Sequence, residues 1–405
     1  MGAYADLRAR LDLRDRLTAL PAGFYGDAVQ HQADLELIWY REWLFAGHEC
    51  ELAKAGDYLT LQVGSYPVIV IRDREDTLRA FHNTCRHRGS RICSALHGST
   101  ARLTCPYHSW TYRLDGSLLS APGMGDEFDT SRYSLKKVHC TAIAGYVFVC
   151  VAAVAPSIEA LRQQAEPYLA KHHLREAKVA FESTIIEHAN WKLVWENNRE
   201  CYHCTRNHPE LLRSFPDQPT MAAGPASSAA DQRIEAQWVQ WEARGLPSRY
   251  TISANHQTRM LRLPLIEGKE SLTMSGEAAV NRPLSSEAGD SGLGSLLFYH
   301  YPSTWNHVLA DHAVTFRVLP LSPTETQLTT KWLVHRDAVE SVDYDLAKLT
   351  EVWQATNRED QRVCQENQIG VLSPAYEPGP YSPIQERGTL QFMHWYCQTL
   401  EERLT

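Results

Sequence analysis

The stretch "CRHRGSRICSALHGSTARLTCPYHSW", from Cys85 to Trp110, constrains the fold of this chain more than any other. It sets Cys85 two residues before His87 and Cys105 three residues before His108, with seventeen residues between the pairs. Two thiolates and two imidazoles in such short pairs reach one compact metal centre only if two tight loops face each other, each gripping one side. Zinc is one occupant of such a set, because two Cys and two His are ordinary tetrahedral ligands. The flanking runs "YLTLQV", "YPVIVIRD", "LRAFHNTC" and "AIAGYVFVCV" are β-rich and separated by Gly or Asp turns. Residues 44–155 are therefore expected to form a small all-β domain around the two loops.

The remainder of the chain has a different texture. Residues 1–43 carry helical spacing in "LRARLDLRDRLTAL" and "QHQADLELIWYREWLF", an arm expected to pack with the C-terminal domain. Residues 156–405 mix expected helices over 157–172, 188–207, 339–369 and 385–402 with strand-like runs such as "AVTFRVLPLS" and "ETQLTTKWLVH". The fold class expected is α+β. The stretches "MAAGPASSAAD" and "SSEAGDSGLGS" are expected to be loops.

Composition excludes several functions. With 43% hydrophobic and 22% charged residues, the 405-residue chain can bury a full core. A net charge of −8, with Lys and Arg scattered along the chain, leaves no basic block to track phosphates, so nucleic acid is not an expected partner. The longest apolar run, Ala142 to Ala155, has fourteen residues, fewer than the roughly 18 a membrane span takes, and it reads as buried strand. The N-terminus shows no apolar signal core, and a cytoplasmic location is expected. Ten cysteines without a regular framework fit reduced thiols and metal ligation better than a disulfide scaffold.

A second stretch, "NWKLVWENNRECYHCTRNHPEL", places Glu200, His203 and His208 within nine residues. On a regular helix Glu200 and His203 share a face, while five further residues turn His208 roughly 140° away from His203. Both histidines reach one ion only if the helix loosens or ends, and Pro209 favours an ending there.

Together the two stretches resemble the large subunit of Rieske non-haem iron oxygenases, over residues from about 39 to 405. The resemblance implies a Rieske [2Fe-2S] cluster held by Cys85 and Cys105 on one iron and by His87 and His108 on the other. It implies a mononuclear Fe(II) in a helix-grip-like catalytic domain with an antiparallel sheet. His203 and His208 match the family's two iron-binding histidines, and the third ligand is an acid on a distant helix. In "TNREDQRVCQENQIG" that acid is Asp360, with Glu359 as its nearest rival. Ring-hydroxylating members carry an aspartate three residues before the first histidine, and here the position is Glu200. The resemblance gives it the role of linking a cluster histidine of one subunit, His108, to His203 of the next.

Glutamate at that position, with the surrounding "WENNRECYHC", resembles the subgroup that oxidises quaternary ammonium compounds such as glycine betaine, proline betaine, carnitine and choline. The implied reaction is oxidative N-demethylation of a betaine with release of formaldehyde; arene dioxygenation and choline or carnitine oxidation are the alternatives. The chain has no GxGxxG turn and no second cysteine cluster, so the resemblance implies electrons from a separate NAD(P)H-dependent flavin/[2Fe-2S] reductase, and a homotrimer. A trimethylammonium group donates no hydrogen bond and is recognised by aromatic faces. Phe298, Tyr299, Tyr301 and Trp305 are concentrated where such a cage can form, with strand alternation turning Tyr299 and Tyr301 to the side opposite Phe298. Substrate contacts are expected from Tyr299, Tyr301 and Trp305, and donors for a betaine carboxylate from among His300, Asn306 and His307.

Overall fold

The computed structural model describes residues 4–12, 15–216, 229–285 and 291–404. Most of the first expected loop, 221–228, and residues 286–290 of the second lie outside the described residues. The chain divides into two compact units: Trp39–Ile158, and Met1–Ile38 together with Glu159–Thr405. The class is α+β.

The smaller unit is built from short antiparallel strands: β1 (Leu44–His48), β2 (Asp57–Val63), β3 (Tyr66–Arg72), β4 (Leu78–His82), β5 (His97–Ser99), β6 (Leu103–Thr104), β7 (Thr111–Tyr112), β8 (Leu118–Ser120), β9 (Lys137–Ile143) and β10 (Tyr146–Cys150). Seven form one sheet in the order β1-β10-β9-β4-β3-β2-β5, and β6-β7-β8 form a second. The apolar run from Ala142 folds as a hairpin, with Ala144 (φ 46°) and Gly145 (φ 91°) turning β9 into β10. Two consecutive left-handed residues match the twist of the flanking strands, and this is why the run turns back on itself so tightly. The helical spacing of "QHQADLELIWYREWLF" is overridden at its end. Ala28–Asp34 is α-helical, but Leu44 already opens β1, which pairs with β10 and is buried along its length. Sheet pairing offers those residues more burial than another helical turn does.

The larger unit holds a seven-stranded antiparallel sheet of β11 (Ala177–Glu187), β12 (Thr251–Ile252), β13 (Thr258–Leu263), β14 (Ser295–His300), β15 (Thr304–Val308), β16 (Ala313–Ser322) and β17 (Glu325–His335), in the order β11-β17-β16-β15-β14-β13-β12. The long helix Leu346–Val371 is capped by Asp345, whose carboxylate accepts from Lys348 N at 2.9 Å. It begins seven residues later than the spacing predicts, because Ala338 to Tyr344 is spent on turns that receive backbone hydrogen bonds of their own. Helix Trp191–Asn198 is capped by Asn190 and ends well short of the expected residue 207. A pair of asparagines at its last turn, poor helix formers that bond locally to backbone, marks that early end.

The N-terminal arm is fixed to this helix by a buried ion pair. Lys192 and Asp34 meet with both side chains out of solvent, and Asp34 also accepts from Trp191 Nε1 at 3.0 Å and Tyr396 Oη at 2.7 Å. Removing one member of such a pair strands the other charge in the interior, at a cost of about 3–5 kcal/mol. Lys192→Met is therefore expected to lower stability by that amount in urea unfolding, and Lys192→Met combined with Asp34→Leu to recover much of it.

Candidate metal centres and substrate recess

In the smaller unit the two Cys/His loops are built alike. Cys85 N donates to Ser90 O (2.8 Å) and Gly89 N to Cys85 O (3.0 Å), and in the second loop Cys105 N donates to Trp110 O (2.8 Å) and Ser109 N to Cys105 O (3.1 Å). Each loop closes through a left-handed residue, Gly89 at φ 80° and Ser109 at φ 58°. Both sulfurs are buried, at 3% and 2% residue exposure, while the two imidazoles sit 4.7 Å apart at the loop tips. His87 stacks on Trp110, and its Nδ1 is buried with no hydrogen-bond partner. A buried imidazole nitrogen with a free lone pair beside two buried thiols fits a cluster that takes two sulfurs and two nitrogens. Tyr112 Oη lies 3.3 Å from Cys85 Sγ and accepts from Arg86 N at 3.0 Å, so it is placed to donate to that sulfur.

In the larger unit, the break after Asn198 lets Glu200 to His208 curl, so that both histidines turn inward. Cys201 and Cys204 come within 4.9 Å at Cα and are disulfide-bonded, which pins this turn. The expectation of reduced thiols has one local exception: this pair is bonded, and the other eight cysteines form no disulfide. Cys204 Sγ lies with the two histidines in a group of donor atoms within 4.8 Å, but its bond to Cys201 removes it as a thiolate ligand.

Three donor atoms converge. His203 Nε2 and His208 Nε2 are 3.0 Å apart, and Asp360 Oδ1 lies 3.0 Å from His208 Nε2 and 3.4 Å from His203 Nε2. Bonds of about 2.1 Å at right angles put neighbouring ligand atoms about 3.0 Å apart, so the three fit one face of an octahedron. The outer nitrogens set the tautomers. His203 Nδ1 is 2.6 Å from Glu200 Oε1 and His208 Nδ1 is 2.8 Å from Glu359 Oε2. Each carboxylate accepts a hydrogen bond from Nδ1–H, so that Nε2 faces the centre and is the nitrogen an ion would take. Glu359 thus stands behind His208 and Asp360 at the convergence, where Asn197 Nδ2 also donates to it at 2.6 Å. Burial opposes charge on these groups, but their mutual hydrogen bonds and charges outweigh it. His203 is raised to about 10, and Asp360 is held well below the usual carboxylate range, so without an ion His203 Nε2 holds a proton toward Asp360, and an ion that binds there displaces it.

A recess opens on this centre, lined by Glu200, His203, His208 and Asp360 and by Arg199, Arg259, Tyr299, Phe215, His307 and Trp353. Register explains the sheet wall. Arg259 pairs with Tyr299 and Tyr299 with Trp305, while His307 pairs with Leu297, so these side chains share one sheet face. Phe298 and His300 point to the other face, where their rings stack and His300 Nδ1 meets Thr258 Oγ1 at 2.8 Å.

Of the three aromatic residues expected around substrate, Tyr299 lines this recess. Trp305 lines a smaller one behind Asp360. Tyr301 is fully buried beyond the end of β14, where Arg199 Nε donates to its hydroxyl and its ring stacks on Trp395. Of the three expected donors only His307 faces the recess; Asn306, like His300, alternates away. Residues that sequence reasoning did not single out complete the wall. His307 lies 4.5 Å from Trp353 and 5.4 Å from Phe215, ring to ring. Burial, and then the charge of His312, push His307 down to about 3, so this aromatic corner carries no positive charge at neutral pH.

Two sets of ligand side chains of different kinds, one on an all-β unit and one beside an antiparallel sheet and a long helix, are what a Rieske oxygenase requires, and the comparisons agree. Residues 42–140 match the Rieske [2Fe-2S] domain, and residues 170–402 match the ring hydroxylating alpha subunit (catalytic domain). The chain belongs to the ring-hydroxylating alpha-subunit family and is a Rieske non-haem iron monooxygenase with a Rieske cluster and a mononuclear iron. It is 45% identical over 403 residues to the glycine betaine monooxygenase oxygenase subunit of Pseudomonas aeruginosa strain UCBPP-PA14, covering 99% of this chain and 93% of that one. Its fold is similar to the quaternary ammonium Rieske monooxygenase CntA (TM-score 0.73, 23% identity, 98% of both chains). It is equally similar to naphthalene 1,2-dioxygenase from Rhodococcus sp. (TM-score 0.73, 18% identity, 99% of both chains). Backbone shape therefore does not separate substrates. An oxygenase of this kind takes electrons from a separate reductase and acts on a small molecule. Among the described residues, no helix is long and apolar enough to cross a membrane.

Proposed function

We propose that this chain is the oxygenase subunit of a betaine N-demethylase, with glycine betaine as the first substrate to test and proline betaine as the second. In this reading His203, His208 and Asp360 hold the iron, and Cys85, His87, Cys105 and His108 hold the cluster. The observation that carries it is the recess. An aromatic corner of Phe215, Trp353 and uncharged His307 lies in the same cavity as the three converging donors, together with Tyr299. A quaternary ammonium has no hydrogen to donate, and aromatic faces attract it where an imidazolium would repel it. The whole-length likeness to a glycine betaine monooxygenase subunit points the same way.

When bound, the iron activates O₂ and the cluster delivers electrons singly. The protein's own part is to hold one N-methyl group toward His203, His208 and Asp360 and to keep bulk water from the recess. Betaine, O₂, NAD(P)H and a proton become the demethylated amine, formaldehyde, NAD(P)⁺ and water: one oxygen atom enters the methyl carbon and the other leaves as water. The hydroxylated methyl then gives up its hydroxyl proton and leaves as formaldehyde as the C–N bond breaks; the electron pair returns to nitrogen, which takes up a proton, so the demethylated amine leaves as the ammonium form. Electrons come from a flavin/[2Fe-2S] reductase in the cytoplasm, and Glu200 carries them between subunits of a homotrimer. Glu200 also borders a second recess, lined by His203, Glu196, Tyr381 and Glu386, which gives a neighbouring imidazole a route to its carboxylate.

The test is a formaldehyde assay with the purified chain, a Rieske-oxygenase reductase, NAD(P)H and O₂. Glycine betaine or proline betaine is expected to release formaldehyde in proportion to O₂ consumed, with naphthalene and biphenyl inert. A cis-diol from either arene, with no formaldehyde from any betaine, would overturn the reading.

A further inference from the structure

The turn that carries Glu200 and His203 is closed by a bond that chemistry can open. Cys201 and Cys204 stand on either side of His203 in the chain, and both line the recess. Cys201 is partly exposed, whereas Cys204 is buried. The backbone holds the same turn without the sulfurs: Cys204 N donates to Cys201 O at 3.1 Å, and His208 N donates to Cys204 O at 2.8 Å. Cys204 therefore stays beside the two histidines when the sulfurs part. The donor atoms of Cys204, His203 and His208 all lie within 4.8 Å of one another. A tetrahedral ion with nitrogen at about 2.1 Å and sulfur at about 2.3 Å needs them about 3.6 Å apart, a difference that a freed Cys204 side chain covers by a small rotation. Two imidazoles and a carboxylate are the facial set of Fe(II), with positions left open. A thiolate added to them makes a closed four-donor set of the kind Zn(II) prefers.

We propose that the Cys201–Cys204 bond sets the metal preference of this site: closed, it withholds the Cys204 sulfur from the ion, and open, it adds that sulfur as a fourth donor and favours zinc over iron. The proposal rests on the reading of His203, His208 and Asp360 as the iron site and adds a redox condition to it. The bond opens by exchange with a dithiol reductant. One thiolate of the reductant attacks the more exposed sulfur, Cys201, and expels Cys204 as a thiolate, the form that a metal takes. The second thiol then attacks the mixed disulfide, and the reductant leaves as a cyclic disulfide. Two electrons pass to the protein; of the two protons the dithiol gives up, Cys201 takes one and solvent the other. The reverse exchange, with a small disulfide as oxidant, closes the bond and withdraws the sulfur.

The experiment uses the full-length protein with its cluster intact and its mononuclear site emptied by a chelator. It is treated with dithiothreitol or with the oxidised form of that reagent, desalted under argon, and titrated separately with Fe(II), Zn(II) and Co(II). The tryptic peptide Glu200–Arg206, alkylated before digestion, reports whether the bond is closed. Co(II) reports ligation, because a thiolate adds a sulfur-to-metal charge-transfer band in the difference spectrum against cobalt-free protein. Reduction of the wild type is expected to tighten Zn(II) relative to Fe(II) at least about tenfold and to bring in the cobalt band. Cys201→Ser leaves Cys204 permanently free, so it should show the band and the zinc preference after either treatment. Cys204→Ser has no sulfur to add and should keep the preference of the oxidised wild type throughout. If Cys201→Ser does not fold, the reduced wild type and Cys204→Ser decide the matter. A bond that only braces the turn makes the two variants behave alike. That outcome, a reduced wild type without the band, or a Glu200–Arg206 peptide that stays unlinked after oxidation overturns the proposal. A wild type with the bond closed that binds no Fe(II) overturns instead the iron-site reading on which it rests.

Discussion

Asp360→Ala is expected to strip the mononuclear iron and to reduce turnover at least about a thousandfold, while the visible spectrum of the Rieske cluster stays unchanged. His203→Ala and His208→Ala should do the same. The reason is geometric: the three donor atoms lie 3.0 to 3.4 Å apart, and a facial site with one corner gone binds Fe(II) through two nitrogens only. The cluster is spared because its four residues belong to a different compact unit from the three donors. Glu359→Gln separates ligand from support. Glu359 contacts His208 from the Nδ1 side, so its loss should weaken iron binding about 10- to 100-fold without abolishing it. Metal analysis and electronic spectra of the same samples check both halves. Full iron content and activity in Asp360→Ala, with iron lost in Glu359→Gln, would exchange the two roles.

That exchange is the kind of question the sequence leaves open. Glu359 and Asp360 are neighbours on one helix, about 100° apart, and nothing in their spacing says which side faces His208. The pairs proposed to bind metal were easier to read because their partners are close in the chain: Cys85 with His87, Cys105 with His108, and His203 with His208 five residues on. The long helices and the antiparallel strands were legible for the same reason, since their apolar period repeats locally. The break at Asn198 was only half visible. Pro209 signals an ending, yet the helix stops eleven residues earlier, and the Cys201–Cys204 bond takes over the turn. The recess was least legible. Arg259, Tyr299, Phe215 and Trp353 come from β13, β14, the turn after His208 and the long helix. They meet only because strand register aligns Arg259 with Tyr299 and helix packing sets Trp353 against His307. Alternation did separate Tyr299 from Phe298, but it could not show that Tyr301 lies past the end of its strand, held by Arg199.

Glu200→Gln should slow electron transfer from cluster to iron by about two orders of magnitude or more, with the cluster intact and the iron restored by added Fe(II). The carboxylate is used on both oxygens. Oε1 receives His203 Nδ1–H at 2.6 Å, and Oε2 receives the backbone N–H of Tyr202 and, at 3.3 Å, that of His203. Glutamine offers a single oxygen, so its NH₂ group must face either the imidazole N–H or the Tyr202 N–H, donor against donor. Either choice moves the side chain and loosens the His203 ring, and in the proposed bridge the amide also removes the charge that would favour an imidazole from a neighbouring subunit. Glu200→Asp keeps two acceptors but withdraws them by one methylene, enough to break one of these contacts, and should retain an intermediate rate. Single-turnover experiments on pre-reduced protein with saturating substrate and O₂ read the step directly, as bleaching or recovery of the cluster's visible bands. In Glu200→Gln the cluster should stay reduced while substrate and O₂ are present. Oxidation at the wild-type rate, with iron reloaded, would leave Glu200 as a residue that positions His203 and carries no electrons between subunits.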